Sequence, residues 1–128
     1  MPTPSNGSWA DVLWIDTGSV NCYLCHDDDG FTLIDAAMPG KADLIFDRLA
    51  EWGGAPGDLK RIVITHADMD HAGSAAAIQA RSGATVYAGA ATAALLAEGR
   101  SPRHMPPPVQ FILDHIVRYK AIDRAALR

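Results

Sequence analysis

The chain has 128 residues, enough for one modest domain with its own core, and its 48% hydrophobic and 20% charged content is that of a globular protein. A formal net charge of -4 with no run of Lys or Arg argues against nucleic acid as a partner. No apolar stretch approaches the roughly 20 residues that span a bilayer, which argues against a membrane-spanning helix.

The opening MPTPSNGSWADVLWIDTG has neither the basic nor the apolar region of a secretory leader, so a cytoplasmic, reducing setting is expected. Residues 1–8 are rich in Pro, Ser, Asn and Gly and are expected to be flexible, leaving 9–128 as the folded unit. DVLWID (11–16) predicts a short strand closed by Thr17-Gly18. VNCYLCHD and FTLIDA predict two more, joined as a hairpin through Asp27-Asp28-Asp29-Gly30, an acidic run that reads as a solvated turn rather than a cation site. Cys22 and Cys25 have the spacing of a redox or zinc pair, but strand positions three apart face opposite sides of a sheet, so they read as two small strand residues.

Lys41 to Trp52 predicts a helix, with Leu44 or Ile45, Leu49 and Trp52 at helical spacing and Gly53-Gly54 as its stop. LKRIVIT (59–65) predicts a strand with a continuous apolar centre, as expected for burial on both faces. HAGSAAAIQARSG predicts a single helix ended by Gly83, TVYAG a strand, and AATAALLAEG a short helix stopped by Gly99. RSPRHMPPPV is a linker by its prolines. VQFILDHIVRYKAI (109–122) predicts an amphipathic helix with Val109, Ile112, Leu113, Ile116 and Val117 on one stripe. Strands first and strand–helix alternation afterwards give an α/β class: a mixed sheet with flanking helices.

The chemistry concentrates in RIVITHADMDHAGS, where His66, Asp68, Asp70 and His71 follow the end of a predicted strand. A strand that stops abruptly projects side chains from the next loop toward one point, and imidazole with carboxylate suits zinc, iron or manganese. Helix capping by Asp70 would account for one aspartate, but not for two histidines and two aspartates within six residues.

ITHADMDHAGS resembles the T-H-x-H-x-D-H-x-G signature of the metallo-β-lactamase superfamily, which includes glyoxalase II-like hydrolases. Upstream, VNCYLCHDDDGFTLIDAAMPG is similar to that family's opening hairpin, with its N-x-Y-L and L-I-D-x-G character. The resemblance covers roughly residues 11 to 100. It implies an αββα sandwich of two similar halves, of which this chain would be the first, acting on a small-molecule substrate. It makes His66 a ligand of a first metal site and Asp70 and His71 ligands of a second, with one or two zinc ions bound. It also makes Asp70 the catalytic carboxylate that holds or deprotonates a bridging water.

Asp68 stands where the motif usually has its second histidine. A carboxylate there is a harder metal ligand that brings iron or manganese into consideration, and the flavo-diiron branch of the superfamily carries one at this place. The family's later H-T-x-G-H segment does not occur in the sequence. Two further readings therefore stand beside the hydrolase: a non-catalytic half-domain that binds metal or dimerises through the face its missing half would cover, and a di-iron redox module. His26 reads as a surface histidine, His104 as a solvated loop residue and His115 as the edge of the last helix. Lactams, thioesters, lactones and phosphodiesters all remain open as substrates.

Overall fold

The computed structural model describes residues 11–100 and 119–128, together with the backbone of residues 8 and 9. Among these, six strands form one sheet in chain order: β1 (Ser8–Trp9), β2 (Val12–Asp16), β3 (Asn21–Asp27), β4 (Gly30–Ile34), β5 (Leu59–Val63) and β6 (Thr85–Tyr87). β1 to β4 run antiparallel, while β4–β5 and β5–β6 are parallel, so the sheet is mixed, as its sequence pattern predicts. The β3–β4 hairpin turns at the acidic run, with Asp27 opposite Gly30. Asp29 leaves that turn to form a two-pronged ion pair with Arg61 of β5 at 2.8 and 2.9 Å.

One face of the sheet is the core face. Leu13, Leu24, Leu33, Ile62 and Val86 lie side by side across five strands and are all fully buried. Burial of each such side chain contributes roughly 1.5–3 kcal/mol. This face is covered by helices: α1 (Ala42–Glu51) buries Ile45, Phe46 and Leu49, and α3 (Ala75–Ser82) buries Ala75, Ala76 and Ile78. Arg81 of α3 stacks over the Phe46 ring and pairs with Asp43, fastening α3 to α1. The opposite face carries the row Trp14, Tyr23, Ile34, Val63 and Tyr87, of which Trp14 is 38% and Tyr87 41% exposed. Cys22 lies on the core face and Cys25 on the other, and both are free thiols.

Two local predictions need correction. The single helix expected from His71 divides into α2 (Met69–Ala72) and α3, with the break at Gly73-Ser74. Gly73 N–H donates to the Ala37 carbonyl, and Ser74 Oγ donates to the Met38 carbonyl while accepting from Lys41 N–H. The chain leaves the helix there to dock on the 36–41 turn. Residues 119–122 are not helical, because the Tyr119 and Ile122 amides donate to the Gly99 and Leu96 carbonyls instead of continuing a helix. The rest of that expected helix, with His104 and His115, lies outside the described residues, as do residues 1–7. Ser8 of β1 pairs with Leu13 of β2. The remaining helix, α4 (Ala90–Leu96), follows β6. Among the described residues, no helix is long and apolar enough to cross a membrane.

Candidate metal centre

The site forms where the parallel strands β4 and β5 end, the position at which open α/β sheets generally bind ligands. Ile34 and Val63 are register partners, so the residues that follow them, Asp35 and Ile64-Thr65-His66, leave the sheet side by side. Asp35 N–H extends the ladder to the Val63 carbonyl at 2.8 Å. The chain then turns sharply, with Asp35 and Ala37 both at positive φ, 64° and 60°. L-residues adopt this region at a cost of about 1 kcal/mol or more. The turn is held by the loop it faces: Ala36 N–H donates to the His71 carbonyl at 2.7 Å, and Gly73 N–H to the Ala37 carbonyl at 2.8 Å. Gly73 is required by this contact, since a Cβ there would collide with the Pro39 ring and the Met69 carbonyl.

Asp35 is the hub. It is 6% exposed, and Oδ1 accepts from Thr65 N–H at 2.8 Å. The Thr65 hydroxyl lies 2.7 Å from Oδ2 and 2.9 Å from Oδ1. His71 Nδ1 lies 2.9 Å from Oδ2. A carboxylate only accepts, so this contact assigns the proton of His71 to Nδ1 and leaves Nε2 with its lone pair free. Such a carboxylate–histidine pair orients metal-binding imidazoles.

The fold places the four residues singled out in the sequence as neighbours in pairs: His66 with His71, His71 with Asp70 and His66 with Asp68. The His66 and His71 rings are 4.0 Å apart, centre to centre. Asp70 Oδ1 lies 3.8 Å from His71 Nε2, buried and without a hydrogen-bond partner. Asp68 Oδ2 is 3.6 Å from His66 Nδ1, which accepts a long 3.3 Å bond from Asp68 N–H. The capping reading of Asp70 does not hold. The N-cap position of α2 is Asp68, which makes no side-chain cap bond, and Asp70 sits inside the first turn.

These residues fit a cation in part. An orphaned, buried carboxylate oxygen is costly, and a positive charge between it and the free His71 Nε2 would satisfy both. Among the described residues, however, no three His, Cys, Asp or Glu side chains close into a metal-holding group. His66 supports the pair from a half-exposed position rather than completing a cage.

Residues 15–120 match the family model described as the metallo-beta-lactamase superfamily. The chain belongs to that superfamily. It is thus a member of a family of metal-dependent hydrolases, with the fold expected from the motif. Metallo-beta-lactamase SMB-1, bound to 2-mercaptoethanesulfonate, matches 98% of this chain with 47% of its own, at a TM-score of 0.79 and 26% identity. BJP-1, a subclass B3 metallo-beta-lactamase of Bradyrhizobium japonicum, matches 95% with 45% of its own, at 0.76 and 28% identity. A B3 metallo-beta-lactamase described as having an active-site glutamic acid matches 98% with 44% of its own, at 0.77 and 30% identity. Among curated proteins, the uncharacterized protein YobT of Bacillus subtilis is 44% identical over 55 residues, which are 43% of this chain and 22% of YobT. The chain spans less than half the length of each of these relatives.

Asp35 and Thr65 were not among the residues singled out from sequence. The available signal was a carboxylate placed directly after the apolar run of β4, where a charged residue has no packing role. Its partners lie 30 and 36 residues away, so no local pattern names them.

Proposed function

We propose that this chain supplies the metal-ligand loop of a metal-dependent hydrolase that attacks a small-molecule substrate with water. The observation that carries the reading is the orphaned Asp70 oxygen facing the free nitrogen of His71, whose other nitrogen is held by Asp35. His66 with Asp68 would hold one ion, and Asp70 with His71 a second. A bound metal supplies a hydroxide at neutral pH by lowering the pKa of its water. Asp70 would take a proton at its carboxylate and keep that water in place, while Asp35 keeps Nε2 of His71 pointing inward. Zinc is the first choice, with iron or manganese favoured by the carboxylate at position 68. The neighbour described as having an active-site glutamic acid supports a carboxylate at such a site.

The site as described offers too few donors for tight binding, so remaining ligands would come from other residues or from a second copy. The exposed row with Trp14 and Tyr87 favours something packed on that face, either more of the protein or a second copy. The test is to load the protein with zinc, iron(II) or manganese(II). Binding and hydrolysis are then measured with a lactam, a thioester, a lactone and a phosphodiester. Thioester turnover would support the glyoxalase II-like reading, and oxygen reduction with iron alone would favour the redox module. The reading predicts binding that His71→Ala weakens at least tenfold and turnover that Asp70→Asn removes. Absence of binding by all three ions at neutral pH would contradict it.

A further inference from the structure

The tail after residue 118 is tied back to the candidate metal loop by one phenol. Tyr119 N–H donates to the Gly99 carbonyl at 3.3 Å and Ile122 N–H to the Leu96 carbonyl at 3.0 Å. Further on, Leu127 bridges Val86 in parallel, and Arg128 N–H donates to the Val86 carbonyl at 2.7 Å. The tail therefore runs along the end of α4 and finishes on the free edge of β6. Gly99, at φ +68°, permits the close approach, since a Cβ there would strike the Tyr119 carbonyl.

Tyr119 is 6% exposed, and its ring belongs to the core. Its hydroxyl lies 2.6 Å from the Ala67 carbonyl and 3.0 Å from the Arg100 carbonyl. A phenol has one proton, so it donates to one carbonyl at a time, and the shorter contact is to Ala67. Ala67 is the residue between His66 and Asp68, in a stretch with no regular secondary structure. Burial, and next the charge of Asp68, push the Tyr119 hydroxyl up from its ordinary value, so it keeps its proton over the working pH range.

We propose that Tyr119 is a positioning residue for the candidate metal centre: its hydroxyl pins the Ala67 carbonyl and thereby sets the placement of His66 and Asp68. This rests on the metal-site reading above. A loop without its own ladder keeps ligand geometry only through such outside contacts, and loss of a supporting bond to a metal site typically costs 10–100-fold in affinity.

Tyr119→Phe removes the oxygen and leaves the ring in the core. Two readouts are compared: zinc affinity by competition with a chromophoric chelator, and exchange of the Asp68 amide in metal-free protein. That amide bonds His66 Nδ1 and so reports the order of the loop. The expected result is at least tenfold weaker zinc binding and faster Asp68 exchange. Gly99→Ala, which displaces the Tyr119 backbone, should reproduce both. Ile122→Val, in the same tail, should change neither. The proposal is overturned if Tyr119→Phe leaves zinc affinity within twofold of wild type, or lowers it no more than Ile122→Val does. If the wild-type chain binds none of zinc, iron(II) and manganese(II), the functional reading fails. The exchange measurement then decides on its own: faster exchange in Tyr119→Phe sustains the tether, and unchanged exchange ends it.

Discussion

Replacing Asp35 by alanine and by asparagine separates two jobs that this carboxylate performs. In Asp35→Ala, Thr65 N–H, the Thr65 hydroxyl and His71 Nδ1–H lose their shared acceptor at a site only 6% exposed. Each buried donor left without a partner costs about 1–3 kcal/mol, with partial relief where water can enter. With water relieving part of the three penalties, the predicted loss is on the order of 3–5 kcal/mol, a large share of a stability of about 5–15 kcal/mol. Asparagine tolerates positive φ and keeps one oxygen for Thr65, so Asp35→Asn should cost only about 1–2 kcal/mol. Its amide, however, presents N–H to His71 Nδ1. The ring must then accept there and carry its proton on Nε2, the nitrogen intended for metal. The predicted outcome is a small shift in the urea midpoint with an unchanged m-value, and zinc affinity reduced 10–100-fold. Asp35→Asn binding zinc as wild type does, or Asp35→Ala losing under about 1 kcal/mol, would refute the reasoning.

Gly73→Ala should lower stability by about 1–3 kcal/mol through its collision with Pro39, read as a lower thermal midpoint in metal-free protein. Burial, with the charge of Asp35 second, raises the Cys22 thiol from 9.0 to about 12, against a weaker opposing hydrogen bond from the Ala37 backbone. The folded state therefore holds this proton more tightly than the unfolded one. Its contribution is complete below pH 9 and is lost as pH climbs toward 12, by up to about 4 kcal/mol. Cys22→Ala should flatten this alkaline limb in denaturant titrations across pH 8–12. The exposed Trp14 and Tyr87 predict self-association of the isolated chain, seen by sedimentation as a mass that rises with concentration and falls in the Trp14→Ser, Tyr87→Ser double variant.

The strands were legible because their signal is local. Apolar runs mark β2 to β6 within a residue or two, and the acidic turn fixes the β3–β4 hairpin. The metal loop was legible because four chemically matched residues fall in one short stretch. The sequence could not reveal what holds that stretch. Asp35, Gly73 and Tyr119 act on it through partners 30 or more residues away, or by fitting against a distant turn. The break between α2 and α3 has the same origin. His71 to Ser82 reads as one helix by its alanines, with Gly73-Ser74 a weak point in it, and docking of those two residues on the 36–41 turn divides it there.

The most direct test of the metal centre is anomalous diffraction at the zinc edge from crystals grown with zinc. The account predicts a peak bonded to Nε2 of His71 and an oxygen of Asp70, with His66 adjacent and Nδ1 of His71 still on Asp35. Zinc bound through Nδ1 of His71, a peak only at other residues, or no peak at all would contradict it.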